Sequence, residues 1–156
     1  MDQKKKLITI LVIMFAMIAL FFGLSQVSGK KKAKSENELS FAVEVGSQET
    51  VCYVNGFRRQ GFYQVLDIPT SATLVKAGET TKNKYEVVGI VEKSFKDDTT
   101  LEEVVIPKCV TYIGTDAFSG CTNLKKVTYK GSKSDWDAMI IEEGNDALTS
   151  LEIVFQ

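Results

Sequence analysis

The stretch IGTDAFSGCTNLKKV, residues 113–127, repeats a pattern that occurs earlier in the chain. When the sequence is shifted by 23 residues, residues 87–107 overlay residues 110–130 without a gap. The apolar positions coincide, whereas the polar positions between them differ. The coinciding pairs include Ile90 with Ile113, Phe95 with Phe118, Leu101 with Leu124 and Val104 with Val127. This periodicity indicates one structural unit that is used twice in tandem.

Each unit contains a pattern typical of a short β-strand. Val104 and Ile106 lead into Pro107, which cannot donate a hydrogen bond to a neighbouring strand. Val127 and Tyr129 occupy the same positions in the second unit. One unit cannot bury its own apolar face, but stacked units with strands about 4.8 Å apart bury a continuous core. The repeat therefore predicts a short solenoid.

The two units resemble the BspA-type leucine-rich repeats, which occur mostly in bacterial surface proteins. The resemblance is carried by Ile90, Phe95, Leu101, Val104, Ile106, Pro107, Val110, Ile113, Gly114, Ala117, Phe118, Gly120, Cys121, Asn123, Leu124 and Val127. It implies a β-rich α/β fold, a short leucine-rich-repeat solenoid of about two to three 23-residue repeats. It also implies a surface protein with a contact role rather than an enzyme.

The segment before the repeats predicts an N-terminal β-hairpin cap. Phe41, Val43 and Val45 occupy alternate positions, which is typical of a half-buried strand. Asn55-Gly56 is a good hairpin-turn signal. Further on, Ile68-Pro69 looks like the end of an earlier strand, followed by a longer excursion through residues 76–84.

The segment after the repeats predicts a C-terminal cap of helix and strand. Residues 129–148 resemble the segment that often closes arrays of this family. Ser134 followed by Asp137 predicts a capping box at a helix start, and Trp136 and Ile140 would share one face of that helix. The alternation in residues 151–155 predicts a final strand.

The N-terminus contains an apolar run, residues 7–24, in which Thr9 is the one polar residue. Lysines flank the run on both sides. As a helix it would be about 27 Å long, close to the thickness of a bilayer core. Two interpretations remain open: residues 1–29 are either a cleaved signal peptide or a retained signal-anchor helix. Residues 30–38 read as a polar linker, which leaves residues 39–156 as the leucine-rich-repeat domain.

Composition excludes several functions. The chain has no histidine, and therefore lacks the commonest general base and metal ligand. From residue 39 onward, 12 Lys and Arg face 17 Asp and Glu, which argues against nucleic-acid binding. Cys52, Cys109 and Cys121 are expected to be buried and unpaired, with a Cys109–Cys121 disulfide as the alternative. We expect neither catalytic residues, nor a metal site, nor a cofactor.

A candidate partner-binding surface mixes aromatic and basic residues near the first strands and the excursion. Its members are Tyr53, Phe57, Arg58, Arg59, Tyr63, Lys76, Lys82 and Lys84. Such mixtures are enriched at protein interfaces. The alternative, which we favour, is that the aromatics belong to the core of the cap and the arginines are solvated.

These features predict an exported or membrane-anchored binding module that contacts a protein or glycan at the cell surface, without catalysis. The alternative is a membrane-anchored structural or accessory protein of the cell envelope. In either case the domain lies outside the cell, secreted or held by a single pass through the membrane with residues 7–24 if they are uncleaved.

Overall fold

A computed structural model describes residues 30–34, 38–43, 50–75 and 78–156. The strands are β1 Lys32–Ala33, β2 Leu39–Ala42, β3 Val51–Phe57, β4 Val65–Asp67, β5 Ser71–Val75, β6 Lys82–Ile90, β7 Glu103–Pro107, β8 Tyr112–Ile113, β9 Lys126–Lys130, β10 Ile140–Ile141 and β11 Ile153–Phe155. The helices are α1 Lys133–Asp137 and α2 Asp146–Thr149. The predicted signal peptide or anchor, residues 1–29, lies outside the described residues. Among the described helices, none has the length and apolar character needed to cross a membrane.

The first sheet stacks five strands in the order β1-β4-β7-β9-β11, all parallel to their neighbours. Val104 in β7 lies opposite Val127 in β9, so the 23-residue overlay of the sequence coincides with the register of the strands. Each coil of the chain adds one strand to this sheet. The backbone of one coil therefore bonds to the backbone of the next.

The second sheet has the order β10-β8-β6-β3-β2. The strands from β10 to β3 are parallel, and Gly89 lies opposite Tyr112, again 23 residues later. β2 pairs antiparallel with β3, and β5 pairs antiparallel with β6. The long excursion predicted before the repeats is thus a hairpin, formed by β5 and β6.

The core lies between the two sheets and continues into the turns that connect them. Phe95 and Phe118 are almost completely buried and stack with ring centroids 5.3 Å apart. Backbone bonds join the same turns, for example from Phe95 N to Ala117 O at 2.9 Å. Asn145 continues this stack: its side chain accepts from Phe118 N at 3.0 Å and donates to Gly114 O at 3.0 Å. A buried amide therefore satisfies backbone groups that the last coil would otherwise leave unpaired.

The structure departs from the predicted N-terminal hairpin. Asn55-Gly56 lies inside β3 and is not its turn. Gly56 has φ of 98°, and a Cβ there would lie 2.5 Å from the backbone oxygen of Ser94. The glycine thus permits a close approach of two coils rather than a reversal of the chain. β3 also pairs in parallel with β6, so it belongs to the solenoid as well as to the hairpin. Val45 lies outside the described residues.

The predicted capping box is shifted by two residues. Ser132, rather than Ser134, caps α1, and its side chain accepts from Asp135 N at 3.1 Å. Asp135 accepts in return from Ser132 N at 2.9 Å. Because α1 ends at Asp137, Ile140 does not share its face but lies in β10, 59% exposed. The helix is only one turn long, and sequence spacing alone overestimated its length.

Part of the predicted linker 30–38 belongs to the first sheet. Lys32–Ala33 pair with Val65 and Leu66, and Ala33 is fully buried. Lys30 adds ion pairs to Glu102 and Glu103. Lys30 and Lys32 thus contact carboxylates of the first sheet, whereas Lys31 and Lys34 of the same segment are exposed. The boundaries of the domain as a whole stay predictions.

Candidate functional site: the outer face of the second sheet

The predicted aromatic residues near the first strands are divided between core and surface. Phe57 packs against Phe95 with centroids 4.9 Å apart and against Tyr63 at 5.0 Å. Tyr63 is only 7% exposed. Both residues extend the stack of aromatic rings in the turns, so they support the fold and are not available to a partner. Tyr53, in contrast, is half-buried and faces outward.

The predicted basic residues lie in two separate places. Arg58 and Arg59 are exposed in the turn after β3, where Arg58 Nε donates to Leu39 O at 3.1 Å. Lys82 and Lys84 are exposed on the β5–β6 hairpin. Lys76 lies outside the described residues. The structure therefore does not bring the predicted residues together into one surface.

A row of apolar and aromatic residues crosses the outer face of the second sheet. We call it the aromatic row; its members, in order of register, are Ala42, Tyr53, Gly89, Tyr112 and Ile140. Each pairs with the next across one strand boundary. The row carries no charged residue, and it ends in the most exposed large apolar side chain of the described residues.

The two tyrosines of the aromatic row meet across a glycine. Their ring centroids are 6.5 Å apart with the planes at 87°, the edge-on arrangement that aromatic pairs favour. A Cβ on Gly89 would lie 2.9 Å from the Tyr53 ring and 2.9 Å from the Tyr112 backbone oxygen. The Tyr53 ring thus occupies the space that any side chain at residue 89 would need.

An open groove of about 510 Å³ runs beside the tyrosines and is lined by Ala42, Val43, Tyr53 and Tyr112. Its walls are mainly apolar, with the tyrosine rings as the largest surfaces. Binding sites typically combine such apolar walls with a few polar groups, which the tyrosine hydroxyls can supply. The groove is therefore a candidate for contact with a partner, because its lining is mainly apolar.

Sequence reasoning found Tyr53 but missed Gly89, Tyr112 and Ile140. A signal for Tyr112 was present: Ile113 is an inward position of the repeat, and neighbouring residues of a strand face opposite sides. The 23-residue overlay also aligns Gly89 with Tyr112. The opposing strand β3 lies outside that overlay, so its register with β6 could not be read from the repeat.

The outer face of the first sheet is lined by ion pairs. The Asp67 carboxylate forms ion pairs with the ammonium groups of Lys32 at 3.4 Å and Lys130 at 3.3 Å, and each lysine comes from a different strand. Lys30 lies against Glu102 and Glu103 at the same edge. The Lys30 ammonium donates a hydrogen bond to the Glu103 carboxylate. This bond and the charge of Lys30 lower the pKa of Glu103, although desolvation acts in the opposite direction. The charges of this face are thus largely paired with each other.

The cysteines are unpaired within the described structure. This agrees with the prediction of unpaired thiols and not with the alternative, a Cys109–Cys121 disulfide. Cys52 and Cys121 are buried, and desolvation raises their pKa values to about 11 and about 12. The Cys121 thiol donates to Phe95 O at 3.1 Å. Cys109 is half-buried, and desolvation also raises its pKa. Thiols held in the protonated form are poor nucleophiles, so these residues serve packing.

The carboxylates of Asp98, Glu102 and Glu103 are bound by groups of the protein itself. Asp98 is 9% exposed, and its Oδ1 accepts from Thr100 N at 2.8 Å and from Leu101 N at 3.2 Å, which fixes the turn before β7. Glu102 and Glu103 bind Lys30. Across the described ranges, no group of three or more metal-ligating side chains gathers at one place.

Comparison with known proteins addresses the family. A family model described as "BspA type leucine rich repeat region (6 copies)" matches residues 88–153. Among functionally curated proteins, none matches this sequence. A leucine rich cell surface protein from Faecalibacterium prausnitzii has a similar structure, with a TM-score of 0.56 and 21% identity over 82% of this chain. A leucine-rich repeat protein from Bacteroides ovatus gives a TM-score of 0.49 and 27% identity over 62% of this chain.

The chain spans 31% of the length of the Faecalibacterium protein and 23% of the Bacteroides protein. At 21% identity, the first likeness supports the fold alone. The repeat register, the fold and the family model agree with one another. Residues 88–153 match the BspA-type leucine-rich-repeat family model, which confirms the resemblance that residues 113–127 indicate in the sequence.

Proposed function

We propose that this chain is an exported or membrane-anchored leucine-rich-repeat module that binds a protein partner through the aromatic row, without catalysis. The aromatic row carries the proposal: Tyr53, Tyr112 and Ile140 lie in register on one sheet face without a charge between them. Exposed apolar patches rimmed by polar residues are typical of interaction sites. Tyrosine is also enriched among residues that dominate binding energy.

Two further observations support a binding role. The first sheet pairs several of its charges with each other, whereas the second sheet carries a groove lined by apolar and aromatic side chains. The family membership suggests protein–protein contact in general. The basic and apolar character of residues 1–29 and the surface proteins of this family support location at the cell surface.

Site-specific photocrosslinking tests the proposal. A photoreactive phenylalanine analogue replaces Tyr112 in the full chain, expressed in its natural cell envelope. The expected result is a discrete crosslinked product that contains one partner protein. The matched control places the same analogue at Lys126, which is exposed on the outer face of the first sheet. Equal crosslinking from both positions, or none from position 112, would contradict the proposal.

A further inference from the structure

The first coil of the solenoid ends in a cluster of cations and one exposed aromatic ring. We call it the basic end; it consists of Lys31, Lys34, Arg58, Arg59 and Phe62. All four cations are exposed, and Phe62 is 53% exposed. The turn that follows β3 lies against the chain around β1: Gln64 N donates to Lys31 O at 3.0 Å, and Arg58 N donates to Glu38 O at 2.9 Å.

The charges of the basic end differ from those of the neighbouring first sheet. Lys30 and Lys32 bind carboxylates of that sheet. Among the ion pairs between described residues, none involves Lys31, Lys34 or Arg59. These three cations give this end of the solenoid positive charge, although the chain from residue 39 onward is acidic in total.

Phe62 adds an apolar surface to the same place. The Lys31 ammonium lies 5.2 Å from the centre of the Phe62 ring and 5.1 Å from that of Tyr63. A cation beside an exposed ring combines attraction to anions with a group that enters the interfacial region of a bilayer.

The length of the chain fixes what the basic end can reach. The apolar run ends at Leu24, and Lys30 already bonds to the first sheet. Even fully extended, the intervening residues 25–29 span only about 20 Å. If residues 7–24 lie in a bilayer, β1 and the basic end are held next to its surface.

We propose that the basic end docks on the anionic lipid headgroups of the membrane that holds residues 7–24. This inference rests on the anchored form of the proposed function. Lys34 and Arg59 supply unpaired charge, and Phe62 inserts at the headgroup level. The coils then rise away from the membrane, because β1 and β2 are the first strands of their sheets. The aromatic row runs in the same direction, with Ala42 nearest the lipid and Ile140 farthest from it.

Tryptophan quenching by brominated lipid tests the docking. The full chain carries Phe62→Trp and Trp136→Phe, so that the single tryptophan reports on the basic end. It is reconstituted in vesicles of brominated phosphatidylcholine, with or without phosphatidylglycerol. We expect strong quenching only with phosphatidylglycerol, and weaker quenching at high salt because salt screens the attraction. Equal quenching in both lipids would overturn the proposal.

Charge reversal supplies the matched comparison. Lys34→Glu with Arg59→Glu removes two cations that make no ion pair with described residues, so the fold is preserved. Each lost cation lowers the ratio of docked to undocked protein by about fivefold. Lys82→Glu with Lys84→Glu changes the net charge equally on the β5–β6 hairpin and is expected to leave quenching unchanged. Equal losses of quenching in both double variants would show that docking depends on net charge alone, and would overturn the proposal that the basic end is the docking site.

Flotation of the same vesicles separates docking from anchoring. Protein that floats with both lipids without quenching is anchored but not docked, which overturns this inference alone. Protein that floats with neither lipid overturns both. Protein that floats only with phosphatidylglycerol, and not after Lys34→Glu with Arg59→Glu, supports docking and overturns anchoring. Quenching with phosphatidylglycerol, flotation with both lipids and loss of quenching on charge reversal support both proposals.

Discussion

The two sheets of the solenoid share one core but present opposite chemistry to the solvent. On the first sheet, Asp67 binds lysines from two other strands, so the face is held by contacts within the protein. On the second sheet, Tyr53 and Tyr112 contact each other and leave an apolar groove beside them. The difference teaches that two sheets built from similar parallel strands can have different outer faces. One outer face is covered by ion pairs within the protein, and the other leaves an apolar groove exposed. Only outward positions, which the repeat leaves free to vary, distinguish them.

The largest effect is expected where both faces depend on the common core. Phe118→Ala removes a fully buried ring that stacks on Phe95. It should lower the free energy of unfolding by about 3–5 kcal/mol. Urea denaturation followed by circular dichroism and by Trp136 fluorescence measures this. Val154→Ala, at a 41% exposed position of the first sheet, is the control with little loss. Separate transitions for the two probes would show that the faces do not share a core.

Gly89→Ala should damage the second face more than the first. The added Cβ would lie 2.9 Å from both the Tyr53 ring and the Tyr112 backbone oxygen, so the ring must move or the strands must separate. We expect a loss of about 1–3 kcal/mol in the free energy of unfolding. Chemical denaturation checks the value, with Thr111→Ala at an exposed neighbouring position as control. A neutral result would mean that the tyrosine is not held against the glycine.

Tyr112→Ser should separate stability from binding. The lost edge-on ring contact lowers the free energy of unfolding by only about 1 kcal/mol. Crosslinking to the partner from a photoreactive residue at position 53 should nevertheless disappear. Val105→Ser, on the outer face of the first sheet, is the matched substitution that leaves crosslinking intact. Loss of crosslinking in both variants would show that the loss is not specific to the second sheet, and would contradict binding through the aromatic row.

Acid should change the first face and spare the second. The pKa of Glu103 lies below its ordinary value of 4.5 because Lys30 donates to the carboxylate. Its contribution to stability is therefore present above that ordinary value and is lost as the pH falls through the lowered one. Glu103→Gln should remove a small part of the acid dependence of the melting temperature. The aromatic row has no carboxylate, so crosslinking from position 112 should not follow this titration.

The repeat predicted the central coils because its constraints are local. Inward positions such as Ile113 and Val127 must be apolar in every coil, and both are fully buried. The family resemblance follows from the same positions. Ser132 was missed as the helix cap because Ser134 offers the same chemistry two residues later, and only the geometry of the turn decides between them.

The candidate site was less accessible to sequence reasoning. The aromatic row joins residues 42, 53, 89, 112 and 140, and most of these lie outside the overlay of the two repeats. Their alignment depends on the pairing of β3 with β6, which shifts register between Cys52 and Tyr53. For Phe57 and Tyr63 the sequence leaves both a surface and a core position open, because an aromatic residue near a turn has the same composition signal whether its ring points inward or outward.

The entry and exit of the β5–β6 hairpin lie side by side. Val87 N donates to Thr70 O at 3.0 Å, so the backbone bond needed by the coil forms directly across the base of the insertion. Beyond its base, where Ala72 and Tyr85 pack into the core and Glu86 pairs with β3, the insertion is a detour from the path of the solenoid. The protein thus contains a natural graft point, where loops of other lengths and sequences can be exchanged without altering the order of the strands. Variation among related chains can accumulate there while the stacked coils stay the same.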